Sequence, residues 1–228
     1  MWQKLYDELK SQSFIVLTVA LESRGVEAAR KFIERAAPTY PALIDADHLI
    51  SEQFNLVNVP QALWIDERGK IVRPAEISGY AMSAKMPQIR KIYLDAIRAW
   101  VHHGEHTFTP AEARKRMPTF TSEIALAHTA FHLGLYLWHR ADTPHHGDKQ
   151  HRGDSHPELR REAKQFFDQA LELNPDSWNF YRQIKNLEHP LASSGWSYFK
   201  RVWQFHRRGK PYYPLVDLPG VKKLFGKN

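Results

Sequence analysis

Residues 14–20 (FIVLTVA) limit the possible folds of this chain more than any other segment. They are apolar and mostly β-branched, and polar residues bound the apolar stretch at Ser13 and, after Leu21, at Glu22. Such a segment is typical of a strand that is buried on both faces, as in a parallel sheet covered by helices. Apolar residues then recur at helical spacing, at Val26, Ala29, Ile33 and Ala36. The sequence therefore predicts an α/β fold at the start of the chain.

Helices and strands are predicted to alternate through residues 1–104. The expected elements are a helix at 3–10, the strand at 14–20, the helix around 26–36, an extended stretch at 40–45, a short helix at 46–54, strands at 62–65 and 70–77, and a helix from Pro87 to about residue 101. Gly69 supplies the left-handed position of a hairpin turn at 66–69. Pro74 indicates an edge or a bulge in the last strand, because proline has no N–H to donate.

Residues 105–228 are predicted to be all helical. The expected helices cover 110–116, 122–140 with Ser122 as N-cap, 158–173, 176–188 and 196–208. A polar loop at 142–157 contains four histidines together with glycine and proline, which is typical of a segment without regular structure. From Gly209 onward, the proline and glycine content predicts little regular structure.

The positive charge is concentrated at one end of the chain. The net charge is +7, and residues 190–228 contain eight Lys or Arg residues against a single acid, Asp217. No apolar run is long enough for a transmembrane helix, and the first residues lack the apolar core of a secretory signal. The sequence as given therefore predicts a cytoplasmic protein with a basic tail, and it leaves the compartment of the natural protein open.

The first hundred residues resemble the TlpA/ResA-type thiol-disulfide oxidoreductases of the thioredoxin-like superfamily. The segments SFIVLTVALESRGVEAARKFI and TYPALIDADHLISEQFNLVNVPQALWIDERGKIV carry the resemblance. It implies that Pro60 is the family's cis-proline, and that the backbone at Val59 and Pro60 faces the reactive cysteines and binds extended substrate. Gln61 stands where the family often has threonine. The resemblance therefore implies a substrate-binding site at Val59, Pro60 and Gln61.

This chain departs from that family because it contains no cysteine. The family begins with a central strand, a Trp-Cys-x-x-Cys motif and a helix, and residues 3–10 resemble only the second half of that helix. Thiol exchange needs a thiolate, which only cysteine or selenocysteine supplies near neutral pH. We therefore expect the chain as given to be inactive in thiol exchange, and whether the natural protein is an enzyme stays open.

Loss of the central strand would leave two buried strand edges, and each unsatisfied backbone group there costs about 1–3 kcal/mol. Three explanations follow. The natural protein starts further upstream, for example because a selenocysteine codon was taken as a stop. Alternatively, the two flanking strands pair directly, or a partner donates the missing strand. We favour the first explanation.

The helical half resembles a tetratricopeptide repeat interrupted by the loop at 142–157. Leu133-Gly134 fits the Leu-Gly step of the repeat, and Ala163, Phe167, Ala170 and Pro175 match its second helix. The resemblance implies protein–protein contact. A plain helical hairpin that packs on the first half explains the same residues equally well.

Thirteen histidines raise the question of a metal site. His128, His132 and His139 share a helix, but a zinc site needs three or four convergent ligands. The remaining candidates are clustered in the connection before the helical half, at His102, His103, Glu105 and His106. We predict no metal and no cofactor. Glu22 lies at the carboxyl end of a strand, where α/β sheets bind ligands. Without a cysteine nearby, we assign it no catalytic role.

The basic, aromatic tail allows three interpretations. Residues 196–208 form an amphipathic helix that binds an anionic membrane surface, contacts nucleic acid, or packs its aromatic side chains into the core. We favour the last and consider nucleic acid the weakest.

The predicted fold class is α/β: a truncated thioredoxin-like domain at 1–104, followed by an all-α tetratricopeptide-like domain at 105–228. The predicted function is that of the cysteine-lacking remainder of a thiol-disulfide oxidoreductase, whose partner is a thiol or disulfide protein substrate. The alternative is a non-catalytic module that binds protein partners through the cis-proline groove and the helices. The oligomeric state stays open.

Overall fold

The computed structural model describes residues 1–78, 85–106, 108–142, 156–189, 193–210 and 216–226. The fold is mixed α/β, with ten α-helices, one short 3-10 helix (Lys10–Gln12) and four strands in these ranges. The helices are α1 (Trp2–Leu9), α2 (Val26–Ala36), α3 (Leu49–Gln53), α4 (Met86–His103), α5 (Pro110–Arg116), α6 (Ser122–Arg140), α7 (Pro157–Leu173), α8 (Trp178–Glu188), α9 (Gly195–Arg207) and α10 (Pro219–Leu224). The strands are β1 (Thr18–Leu21), β2 (Ala42–Asp45), β3 (Gln61–Ile65) and β4 (Ile71–Ile77).

The strands form two separate two-stranded sheets. β1 pairs with β2 in parallel, with Thr18 opposite Ala42, and β3 pairs with β4 in antiparallel orientation. Within the described residues, β1 and β3 do not pair with each other. The second of the three explanations, in which the two flanking strands close up and pair directly, is therefore wrong for this structure.

The first strand is shorter than its sequence predicts. β1 begins only at Thr18, and the side chains of Ile15 and Leu17 before it are 64% and 56% exposed. A strand is buried on both faces only when neighbouring strands and helices cover it, and β2 is the one strand that pairs with β1 in the described part of the chain. The prediction of a fully buried strand over residues 14–20 is therefore wrong.

The hairpin between β3 and β4 forms as predicted. The Lys70 carbonyl accepts a hydrogen bond from the Asp66 N–H at 2.8 Å, and Gly69 has a φ of 74°. The ladder shifts register between the pairs Ala62–Glu76 and Trp64–Arg73, which places the irregularity around Pro74. The bulge expected from the missing proline N–H is confirmed.

One hydrophobic core joins the two ends of the chain. Its buried members come from α1, β3, α4 and the last residues: Leu5, Leu9, Trp64, Ile89, Tyr93, Ile97, Val216, Leu218 and Val221. The prediction of little regular structure after Gly209 is wrong for residues 219–224, which form α10. The boundary at residue 104 stays a prediction, but residues 216–221 contribute to the core of the first hundred residues.

A second core lies between α6, α7 and α8. Phe167 is one of its buried members, and a Cβ atom placed on Gly134 would lie 2.6 Å from the Phe167 ring. Glycine is required there because the two helices approach so closely.

Helix α6 is capped by the Thr121 side chain, which accepts a hydrogen bond from the Ile124 N–H. The prediction of Ser122 as N-cap is therefore wrong by one residue. Most of the predicted histidine-rich loop, residues 143–155, lies outside the described residues.

Helix α9 turns three large aromatic side chains to the surface. Trp196, Phe199 and Trp203 are 82%, 60% and 56% exposed. The favoured interpretation of this helix, in which its aromatic side chains fill the core, is therefore wrong for these three residues. No helix among the described residues combines the length and apolar character needed to cross a bilayer.

Candidate functional site

The predicted binding loop lies between α3 and β3. The Val59–Pro60 peptide bond is cis, as the family resemblance implied. Pro60 is exposed, while Val59 and Gln61 are half-buried, so one side of the loop is open to solvent. The Pro60 carbonyl accepts a hydrogen bond from the Ser78 N–H at 3.4 Å, which ties the loop to the end of β4. The three predicted residues are adjacent because they are consecutive in the chain.

Helix α8 covers the other side of this loop. The Val57 carbonyl accepts a hydrogen bond from the Asn179 N–H at 3.0 Å. The Val59 carbonyl, directly before the cis bond, accepts a long hydrogen bond of 3.4 Å from the Arg182 guanidinium. The helical half of the chain therefore engages the backbone atoms that the family resemblance assigns to substrate.

The same helix also binds the open edge of β1. The Gln183 amide nitrogen donates to the Leu21 carbonyl, and its oxygen accepts from the Ser23 N–H, both at 3.0 Å. The Glu22 N–H between them points to the opposite side, where the Asp45 carbonyl of β2 accepts it. A single side-chain amide thus takes the place of one peptide group of a neighbouring strand and satisfies the end of this edge.

A buried polar cluster lies below this contact. Ser23 Oγ and His48 Nε2 are hydrogen-bonded at 2.8 Å, and both residues are at most 1% exposed. The Asn179 amide donates to Ser51 Oγ at 2.9 Å. The Asp45 carboxylate accepts from three backbone N–H groups at the start of α3. Asp45 therefore caps α3 rather than orienting the His48 ring.

Two histidines of this region are kept neutral by burial. Burial lowers the pKa of His48 to about 4, against the opposing effect of the Asp45 charge. Burial also lowers the pKa of His128 to about 4, and the nearby His132 adds to the shift. The His128 ring packs between Phe120 and Phe180, at centroid distances of 5.9 and 5.0 Å. These rings act as parts of the core near neutral pH.

The cluster lacks the solvent access that catalysis requires. Ser23 and His48 resemble a nucleophile and a base, but both are sealed from solvent, and Asp45 is committed to α3. Among the described residues, no group of three or more His, Asp or Glu side chains could hold a metal ion. Glu22 forms a two-point ion pair with Arg24, at 2.8 Å for each contact. The arrangement supports packing and recognition rather than bond-breaking chemistry.

Sequence reasoning missed the residues that complete this site. Gln183 and Arg182 lie more than 120 residues from their backbone partners, and nothing in their local sequence distinguishes them from surface residues of an amphipathic helix. Two shallow grooves, of about 490 and 510 Å³, lie elsewhere. The first lies beside Trp64 and Leu218 and the second beside His132 and Tyr136, so neither is lined by the predicted loop.

Neither models of known families, nor characterised proteins, nor solved structures give a match to this chain. A function for the chain therefore has to be argued from the arrangement of its strands, its loop and helix α8.

Proposed function

We propose that this chain is the substrate-binding part of a thioredoxin-like thiol-disulfide oxidoreductase. In this proposal, the reactive pair of cysteines, or a cysteine and a selenocysteine, lies on a strand and helix that these 228 residues do not contain. The chain itself contributes the loop at Val59, Pro60 and Gln61, which binds an extended segment of a protein substrate.

The observation that carries the proposal is the separation of the two sheets. A parallel pair, β1 with β2, precedes an antiparallel hairpin, β3 with β4, and within the described residues neither β1 nor β3 pairs with a strand on its second edge. In this proposal, one further strand lies between β1 and β3 and joins the four strands into a single sheet. A thioredoxin-like fold has its reactive motif directly after such a strand.

The composition of the chain and the exposure of Pro60 agree with a chain that binds substrate and leaves thiol exchange to another segment. The chain has no cysteine, so it supplies no thiolate and cannot exchange a disulfide. Pro60 is exposed, and the neighbouring Val59 carbonyl accepts a long hydrogen bond of 3.4 Å from the Arg182 guanidinium. An extended substrate that pairs with this carbonyl would replace the Arg182 contact by a backbone hydrogen bond.

The experiment that tests the proposal is the intact mass of the endogenous protein, together with labelling by iodoacetamide. We expect a mass several kilodaltons above the 26.6 kDa of this chain, and a label on the additional segment. The recombinant 228-residue chain serves as the control, and we expect it to show no label and no reduction of insulin disulfides. An endogenous mass of 26.6 kDa, or robust insulin reduction by the cysteine-free chain, would overturn the proposal.

A second function is favoured by the contacts of α8. Gln183 satisfies the end of the β1 edge, and Asn179 and Arg182 bind the loop, so the two halves hold together without an added strand. In this alternative the chain is a non-catalytic module that binds protein partners. An endogenous mass of 26.6 kDa, combined with stable partners in a crosslinked pull-down, would favour it.

A further inference from the structure

Helix α9 has one face that is both aromatic and basic. Trp196, Phe199 and Trp203 follow each other at spacings of three and four residues, so they form one stripe along the helix. They are among the most exposed large apolar side chains of the described structure. Lys200 and Arg207 lie on the same face by the same spacing, and both are exposed. The face therefore combines three rings with two cations.

The opposite face holds the helix firmly to the body of the protein. The Arg201 guanidinium lies over the Tyr181 ring at 4.3 Å and over the Trp178 ring at 5.3 Å. It also donates to the Pro175 carbonyl at 2.9 Å, and Phe205 beside it is 5% exposed. Because this face packs against the helical half, the aromatic stripe on the other face of α9 points toward solvent.

The charge around the stripe is positive and only partly compensated. Helix α9 contains no acidic residue. Arg208 and Lys210, just after the helix, both pair with Asp176, so these two cations are neutralised in part. For Lys200 and Arg207 no carboxylate partner occurs in the described ranges, and the Arg207 guanidinium lies 4.7 Å from the Trp203 ring centre. The exposed face thus keeps its positive charge.

We propose that α9 lies flat on an anionic membrane surface, with this aromatic stripe in the interface. Tryptophan prefers the headgroup level of a bilayer, because its ring has an apolar body and a polar edge. Lys200 and Arg207 would then contact lipid phosphates, whose negative charge attracts cations near the membrane surface. The helix would bind as an interfacial anchor and would not cross the bilayer. This inference does not depend on the function proposed above.

Two other occupants fit the face less well. A nucleic acid gains most of its affinity from many phosphate contacts, whereas this face offers two cations around three rings. A second copy of the chain would bring four cations together without any acid from either helix. An anionic lipid surface satisfies the rings and the cations at the same time, and it needs no shape complementarity.

The test is co-sedimentation of the full chain with vesicles. We expect binding to vesicles of phosphatidylcholine mixed with phosphatidylglycerol, and much weaker binding to phosphatidylcholine alone. The double variant Trp196→Ser/Trp203→Ser should weaken binding about tenfold or more, because it removes both interfacial rings. Lys200→Glu/Arg207→Glu should abolish the preference for the anionic vesicles. Added salt should weaken the binding of the unchanged chain.

The matched control is Phe32→Ser on α2. Phe32 is 51% exposed and has Lys31 and Arg35 beside its ring, but it has no aromatic neighbours at helical spacing. We expect this variant to bind vesicles as the unchanged chain does, and circular dichroism should show that all variants fold. Equal binding by the tryptophan variant would overturn the proposal. The proposal would also be overturned if the chain does not bind vesicles and the stripe instead forms a dimer, measured by light scattering, or binds a fluorescent oligonucleotide.

Discussion

The two hydrophobic cores of this protein are assembled in opposite ways. The second core is local, since α6, α7 and α8 follow each other and meet around Phe131, Phe167 and Phe180. The first core is assembled from distant parts of the chain: α1, β3, α4 and residues 216–221. A helical hairpin can bury its own apolar stripes, whereas short strands with unpaired edges need elements from elsewhere. This difference gives a physical reason why residues 216–221 pack on the α/β half.

The junction between α8 and the α/β half differs from both cores, because its contacts are polar. Three side chains of α8 bind backbone or hydroxyl groups of the α/β half, namely Asn179, Arg182 and Gln183. Hydrogen bonds of this kind contribute about 1 kcal/mol each to the free energy of unfolding. The junction therefore adds only modestly to stability, although its hydrogen bonds restrict how α8 sits against the α/β half. The predictions below test how far the two cores and this junction depend on each other.

The largest effect is expected from Phe167→Ala in the local core. Phe167 is 1% exposed, and its removal would leave a cavity between α6 and α7, which costs about 3–5 kcal/mol. Urea unfolding would measure this loss, with the exposed Phe32→Ala as the control. Hydrogen exchange resolved by region would show faster exchange in α6 and α7. If β3 and α4 exchange faster by the same factor, the two cores unfold as one unit and the comparison fails.

The distant core is tested by Leu218→Ala. Leu218 is 2% exposed and packs in the first core, so we expect a loss of about 2–5 kcal/mol in the free energy of unfolding. The matched control is Leu126→Ala on α6, where the side chain is 57% exposed. Amide exchange should increase in α4 and β3. A loss no larger than that of the control would mean that residues 216–221 are not part of this core in solution.

The junction is tested by Gln183→Met, which keeps the side-chain length and removes the amide. The Leu21 carbonyl and the Ser23 N–H would lose their partner, at a cost of about 1–3 kcal/mol. The exposed Gln53→Met on α3 is the control. Thermal unfolding would measure the effect. An unchanged stability would show that water satisfies the β1 edge and that α8 is not needed there.

The last expected effect, similar in size to that of Gln183→Met, comes from a change in pH. Burial lowers the pKa of His128 to about 4, below the value of about 6.5 in an unfolded chain. The neutral ring therefore stabilises the fold above about pH 6.5, and this stabilisation is lost as the pH falls toward 4. Between pH 7 and pH 5 the loss amounts to about 2 kcal/mol for this histidine.

His128→Phe keeps a ring between Phe120 and Phe180 and removes the titration. The free energy of unfolding of this variant should fall by about 2 kcal/mol less between pH 7 and pH 5 than that of the unchanged chain. The exposed His103→Phe on α4 serves as the control. Identical pH profiles for His128→Phe and the unchanged chain would show that His128 is not buried as a neutral ring.

Much of the secondary structure could be predicted from the sequence, because local patterns determine it. Helix α5 matches its prediction at both ends, since Thr109 and Glu112 form a capping box and Pro110 starts the helix. Gly69 and Pro74 determine the hairpin and its bulge for equally local reasons. The first strand and the burial of α9 could not be predicted in this way, since both depend on which elements lie beside them.

The candidate site could likewise be predicted only in part from the sequence. The loop at Val59, Pro60 and Gln61 is contiguous, so sequence reasoning could find it. Its partner helix could not be found, because Arg182 and Gln183 reach it only through the packing of the helical half.

By itself, the sequence determined the absence of a thiolate, the α/β character of the first half and the helical character of the second. These follow from composition and from periodicities that each segment carries alone. Only the tertiary structure decided that two sheets stay apart, that α8 binds the edge of β1, and that Trp196, Phe199 and Trp203 face outward. The physical reason is that strand pairing and side-chain burial are properties of neighbours in space, and neighbours far apart in sequence leave no local pattern.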